Sequence, residues 1–165
     1  MIKKKIASKT KYNFSEIGFG ASPLGNIYNQ QISINDAREL VRKAINLGIN
    51  YFDVAPYYGL TRAENILGKS LPKKKDHLII SSKVGRYDID KFDFSKQTIQ
   101  KSVEASLKRL QTDHINIVFC HDIEFVSKKI IINEAIPALE RLKKKGYLSH
   151  IGISGYPLDL LADVS

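Results

Sequence analysis

Apolar positions along the chain fall into two alternating rhythms. Between Ser33 and Gly48, residues Ala37, Leu40, Val41, Ala44 and Ile45 recur at i, i+3, i+4, i+7 and i+8, one face of a helix. Ser33 starts that helix with Asp36 three residues on as a capping-box-like partner, and Gly48 ends it. A short strand, Ile49–Asp53, follows at once. A loop through Tyr58-Gly59 leads into a new helix at Thr61, where Thr61 and Glu64 form a second capping box and Gly68 and Pro72 close the segment. The rhythm then repeats. His77–Ser81 is a strand ending at Lys83, and Ser95 opens a long helix with Ile99, Val103, Leu107 and Leu110 on one face. Ile115–Phe119 is a strand ending at Cys120-His121. Asn133 opens a helix bearing Ile136, Leu139 and Leu142, which stops at Gly146. His150–Ile153 is a fifth strand ending at Ser154-Gly155, and Pro157–Asp163 begins one more helix. Ahead of all this, Lys3–Ala7 and Tyr12–Phe14 flank the polar turn Ser8–Lys11 as a small hairpin. Glu16–Gly20 is the next strand, followed by the loop Ala21–Gln31 with Pro23 and Gly25.

The pattern is a hairpin followed by βαβαβαβαβ and a helix stub. Strict alternation predicts a parallel sheet. The strands read as nearly continuous apolar runs, which predicts burial of both faces. Two architectures fit: an open doubly wound sheet, or part of a closed eight-stranded barrel. A full barrel needs about 250 residues, and 165 residues leave room for about five strands. Pattern and length alone favour the open sheet.

Composition narrows the class of protein. A chain of 165 residues with 43% hydrophobic content has the size and core of one domain. No apolar run approaches the ~20 residues of a membrane span, and no signal-peptide pattern opens the chain. The single cysteine, Cys120, excludes an internal disulfide framework and fits a reducing compartment, so a cytoplasmic protein is expected. The net charge of +9 is spread over the clusters Lys3–Lys5, Lys73–Lys75 and Lys143–Lys145. No nucleic-acid-binding module accompanies them, so they read as solvated surface. No His/Cys/Glu cluster has metal-ligand spacing, and no metal is expected.

The candidate chemistry sits where strands end. Gly18–Gly25 (GFGASPLG) follows a strand but fails the dinucleotide fingerprint, because Pro23 occupies the third glycine position. Two readings stay open for it: a loop that lets a ligand approach backbone amides, or a plain tight turn. Asp53, Tyr58, Lys83 and His121 all lie at or just after strand ends. Singly, each has an ordinary structural reading. Together they form a coherent set. A phenol, with a pKa near 10, exchanges a proton poorly at neutral pH. A neighbouring ammonium favours its ionised form. A buried ammonium needs a carboxylate, and an imidazole can steer a carbonyl. Cys120 reads as a small buried residue, and His77, His114 and His150, at strand starts, read as structural.

The stretch GINYFDVAPYYG-x4-ENILG resembles the signature of the aldo-keto reductase family, with its strand-end Asp and loop Tyr in the pattern D-x-A-x-x-Y-G. The lysine of IISSKVG and the histidine of IVFCHD match the family's lysine and histidine positions. SVEASLKRLQTDHINIVFCHD and EAIPALERLKKKGYLSHIGISG are similar to its third to fifth βα units. The resemblance covers essentially the whole chain. It implies not the open sheet but the N-terminal part of a (β/α)8 TIM barrel, about five βα units plus the hairpin. Residues 1–165 would then be a truncated NADP-dependent oxidoreductase domain.

The resemblance also implies a function. The cofactor is NAD or NADP, and the substrate is a sugar or other carbonyl or alcohol. Tyr58 is the general acid/base, Lys83 tunes it, Asp53 pairs with Lys83, and His121 orients the substrate oxygen. Gly20, Ala21, Asp53 and Ser154 contact the cofactor. VGRYDIDKFDFS, FCHDIEFVS and NEAIPALERLKKKG most resemble the plant-type L-galactose dehydrogenases, which oxidise L-galactose at C1 to the lactone. Some family members serve instead as non-catalytic regulatory subunits, which is the alternative. The chain departs from the family pattern at Gly155, where many relatives carry Asn, and at Lys11, where a turn glycine is usual. It also stops about halfway, before the family's later strands and their cofactor contacts. Half a barrel leaves two sheet edges and one face of the inner core open, so self-association of the isolated chain is expected.

Overall fold

Two sheets make up the computed structural model, which describes residues 2–7, 10–27 and 31–164. Strands β1 (Lys4–Ile6) and β2 (Asn13–Ser15) pair antiparallel as the predicted hairpin. Positions 8 and 9 of the predicted turn, and 28–30 of the loop after Gly20, lie outside the described residues. A buried amide clamps the hairpin to the rest of the molecule. Asn50 accepts a hydrogen bond from the Ser15 N–H at 2.7 Å and donates to the Asn13 carbonyl at 2.8 Å, while its own N–H donates to Ser15 Oγ at 3.1 Å.

The second sheet is parallel and runs β3 (Phe19–Gly20), β4 (Tyr51–Asp53), β5 (Ile79–Val84), β6 (Ile115–Cys120) and β7 (Leu148–Ile153) in spatial as well as chain order. Helices α1 (Ile34–Asn46), α2 (Arg62–Ser70) and α3 (Lys96–Leu110) connect the strands. Lys128–Ile130 (α4) and Ile136–Lys144 (α5) form the last connection, and Leu158–Val164 (α6) follows β7. Right-handed crossovers that all advance the same way put successive helices on one face of the sheet. Accordingly α1 packs on α2, α2 on α3 and α3 on α5. A doubly wound sheet needs a reversal of strand order and helices on both faces. The strand order here never reverses, so the open sheet that pattern and length favoured gives way to the barrel progression that the resemblance implies.

The core lies between helices and sheet. Phe52, Ile80 and Val118 project from the strands into it and meet Leu67, Ile99, Leu110 and Leu139. Burying a side chain such as Phe52 is worth roughly 2–3 kcal/mol. The opposite, concave face is less covered: Tyr51 and Asp53 flank Phe52 and are only partly buried, and β7 is partly exposed after Leu148. Of the strands expected to be buried on both faces, only β5 is buried at every position.

Three local expectations are corrected. The Ser33 cap forms as predicted, Oγ accepting from the Asp36 N–H at 3.2 Å, but the Thr61–Glu64 capping box does not. Thr61 has φ +75° and caps nothing with its side chain. Glu64 faces inward, fully buried, and accepts from Ser82 Oγ and Arg109 Nε at 2.6 Å each. Gly68 lies inside α2 rather than closing it. The helix expected from Asn133 begins at Lys128 and contains a π-helical turn, Ile131–Ala135. Pro137 explains the turn, because it has no N–H to complete an α-helical bond to Asn133 and its ring crowds that carbonyl.

Candidate active site

Asp53 and Lys83 meet because β4 and β5 are in register, Asp53 beside Ser81, and because side chains two apart on a strand share a face. Lys83 Nζ donates to Asp53 Oδ2 at 2.6 Å and to the Val54 carbonyl at 3.1 Å. The other carboxylate oxygen, Oδ1, accepts from Ser81 Oγ at 2.7 Å, and Ser81 Oγ lies 2.9 Å from Tyr51 Oη. Ser81 has one proton, spent on Asp53, so Tyr51 is the donor in its bond to Ser81. Burial holds the Tyr51 phenol above its ordinary pKa, consistent with its keeping that proton. Sequence reasoning missed Ser81 and Tyr51. The available signal was their spacing, each two residues before a singled-out residue on the same strand.

Tyr58 arrives from the loop after β4. Its ring stands with the Lys83 ammonium 4.8 Å from the centroid and with the His121 ring edge-on at 5.9 Å. Its backbone is set by a close approach of two glycines. A β-carbon on Gly25 would lie 2.8 Å from the Tyr58 carbonyl, and one on Gly59, at φ +61°, would run into the Gly25 backbone. Gly25 therefore serves packing against the Tyr58-Gly59 peptide. Leu60 and Thr61 continue the left-handed run at φ +50° and +75°, strain that persists only where the surroundings hold it.

His121 follows β6, and its N–H donates to the Val84 carbonyl at 2.9 Å. The imidazole is buried. Nε2 lies 3.7 Å from Asp122 Oδ2, and Nδ1 has no partner among the described residues. Burial first, then the positive charges of Lys83 and Arg86, push its pKa down to about 4 against the opposing pull of Asp122 and Asp53. It is a neutral ring at pH 7.

The remaining predicted positions are more dispersed. Gly20 ends β3 beside Asp53, exposed, with nothing within 4 Å of where a β-carbon would sit. Ala21 is buried, and its N–H is spent on the Asp53 carbonyl at 2.8 Å. Ser154 stands past β7, its N–H and Oγ both donating to the Cys120 carbonyl at 2.9 and 3.3 Å. At Gly155 the Glu124 carboxylate stands where a β-carbon would sit. That Glu124 Oε2 is buried and unpartnered among the described residues. Cys120 is fully buried, its thiol pushed up to about 12, as an unreactive core residue is. The His114 ring joins the Gly146 carbonyl to Ser149 Oγ, and His150 packs on Tyr12. Among the described residues no helix is long and apolar enough to cross a membrane.

Residues 16–165 match the model of the Aldo/keto reductase family. The chain belongs to that family. L-galactose dehydrogenase of Arabidopsis thaliana is 45% identical over 166 residues, covering 99% of this chain and 51% of that protein. D-arabinose 1-dehydrogenase of Saccharomyces cerevisiae is 32% identical, covering 98% and 49%. The holo form of an aldo-keto reductase from Bacillus halodurans superposes with a TM-score of 0.85 at 32% identity, over 99% of this chain and 53% of that one. The chain thus spans about half the length of the relatives it matches. Its five parallel strands and outer helices correspond to about half of the aldo-keto reductase barrel, whose members use NAD or NADP.

Proposed function

We propose that this chain carries the proton-transfer site of an oxidoreductase. A hydride passes between a nicotinamide cofactor, NAD or NADP, and a sugar or other carbonyl or alcohol substrate. The observation that carries the reading is the cluster at the strand ends: the Asp53–Lys83 pair at 2.6 Å, its ammonium against the Tyr58 ring, and His121 edge-on to that ring. The C-terminal end of barrel strands is where such chemistry is housed.

The chain's own groups divide the work. In the oxidative direction Tyr58 Oη takes the proton from the substrate hydroxyl; in the reductive direction it returns a proton to the carbonyl oxygen. Lys83 sets positive charge beside that phenol, stabilising the negative charge that the oxygen carries when the proton has left. Asp53 neutralises and orients Lys83 and is itself held by Ser81. His121, a neutral imidazole, offers a ring nitrogen to the substrate oxygen. A bound nicotinamide would supply the hydride chemistry. Gly20, Asp53 and Ser154 Oγ would border it. The unpartnered buried Nδ1 of His121 and Oε2 of Glu124 fit a polar ligand at these strand ends. The buried Ala21 N–H is bound within the sheet, so that residue would contribute shape rather than a hydrogen bond.

The leading substrate is L-galactose, oxidised at C1: its C1–H leaves as hydride and its C1 hydroxyl proton goes to Tyr58, giving the lactone. The 45% identity to the Arabidopsis enzyme supports this choice. Turnover of L-galactose with NAD and NADP, for the protein and its Tyr58→Phe variant, tests the reading. The variant is expected to lose at least ~100-fold in kcat while its cofactor titration is unchanged. Retained turnover overturns the role of Tyr58.

A further inference from the structure

Arg86 stands just past β5, and the proton-transfer reading leaves it unused. Its guanidinium is walled by three rings: Cζ lies 4.0 Å from the Tyr57 centroid, 5.2 Å from Phe92 and 5.6 Å from Phe125. The Phe92 and Phe125 rings stack on each other at 4.6 Å. Nη1 donates to Asp122 Oδ2 at 2.6 Å, and Nη2 donates to Tyr57 Oη at 3.3 Å. The loops after β4, β5 and β6 therefore meet on one cation. The ion pair is largely dry, with side-chain exposures of 18% and 15%. Asp122 reaches it from a left-handed backbone, φ +54°, a conformation that marks held positions in non-glycine residues.

The same oxygen, Asp122 Oδ2, is the one that lies 3.7 Å from His121 Nε2. Two nitrogens thus approach one carboxylate oxygen. The guanidinium holds it at hydrogen-bond length, and the imidazole stands just outside that reach. The charged groups around His121 are Asp122, Lys83, Arg86 and Asp53, with the Tyr57 and Tyr58 rings at 6.1 and 5.9 Å. Asp122 is the one among them whose carboxylate approaches a ring nitrogen, at 3.7 Å.

We infer that Arg86 is a positioning residue of the site: by holding the Asp122 carboxylate in an aromatic-walled ion pair, it keeps that carboxylate from capturing the His121 imidazole, which stays available to a substrate oxygen. The inference rests on the role given to His121 above. An Asp122 carboxylate released from Arg86 would close on Nε2, favour the imidazolium and turn the ring from the substrate.

The test is a histidine NMR titration of the chain, with His121 assigned by His121→Gln. Wild-type His121 is expected to titrate near about 4. Arg86→Met keeps an apolar stem between the rings and removes the charge; it should raise the midpoint by about 1 to 3 pH units. Arg86→Lys should restore most of the wild-type value, and Arg86→Met/Asp122→Asn should abolish the rise. An unchanged midpoint in a folded Arg86→Met chain, or an equal rise in the double variant, overturns the inference. Asp122→Asn at pH 7 gives a check with Arg86 intact. Its His121 nitrogen shifts should match wild type, and a change of tautomer would mean that Asp122 already held the ring. No readout requires substrate, so failure here removes the role of Arg86 alone, whereas failure of the oxidoreductase reading appears in the Tyr58→Phe assay.

Discussion

At the scale of single residues, the site combines one hydrogen-bonded line with one buried neutral ring. Tyr51 donates to Ser81, Ser81 to Asp53, and Lys83 closes on the other carboxylate oxygen. Ser81→Ala would leave the Tyr51 hydroxyl and Asp53 Oδ1 each short of a partner. We expect a loss of about 1–3 kcal/mol in urea unfolding, and Tyr51→Phe/Ser81→Ala should cost less than the sum of the singles. Strict additivity would show that the three do not act as one line. His121 carries a pH dependence whose sign is fixed. Its folded pKa, about 4, is below the ordinary 6.5, so between those values the unfolded chain binds the extra proton. Its contribution is fully present above about 6.5 and is lost as pH falls toward 4, on the order of 3 kcal/mol. Urea unfolding at pH 7 and pH 4.5 should show a smaller loss for His121→Gln than for wild type; equal losses would place the acid sensitivity elsewhere. Asp53, Tyr58, Lys83 and His121 were legible in sequence because each stands at a strand end or in the loop that follows. Tyr51 and Ser81 were not, because tyrosine and serine inside a strand look like ordinary filling until register shows what they face.

Among the elements, the loop bearing Tyr58 is the most tightly specified. Gly25 and Gly59 bring two backbones together closely enough to exclude a β-carbon on either. Gly59→Ala combines that clash with a positive φ and should destabilise the chain by about 2 kcal/mol or more. It should also disturb the Tyr58 ring, seen as loss of its aromatic NMR contacts with His121; a neutral effect on both would show that the loop can part. Helix ends were read well where capping is local, as at Ser33, and poorly where tertiary packing claimed the residue. Glu64 has the spacing of a cap partner but is worth more to the fold as the buried acceptor of Ser82 and Arg109. The π turn before Pro137 was likewise hidden, since periodicity reports which face is apolar and not how many residues a single turn holds.

For the molecule as a whole, the sheet leaves β3 and β7 each paired on one side among the described residues, and its concave face is partly open. Unpaired edges invite pairing with another chain. We therefore predict that the 165-residue chain sediments as species larger than its 18.6 kDa monomer at micromolar concentration. A sharp monomer with cooperative unfolding would refute this. Hydrophobic periodicity, helix punctuation and strand-end chemistry are local properties, so the sequence by itself determined the order of strands and helices and singled out Asp53, Tyr58, Lys83 and His121 as candidates. Length and pattern pointed to the wrong sheet, because a βαβ repeat reads the same whether its crossovers advance in one direction or reverse. The resemblance of the motifs to the aldo-keto reductases already implied the barrel. The one-sided placement of the helices, the Tyr51–Ser81–Asp53 line, and the approach of Arg86 and His121 to Asp122 belong to the tertiary structure alone. Each depends on which residues from distant segments come within hydrogen-bond reach, and only the register and packing of the folded chain decide that.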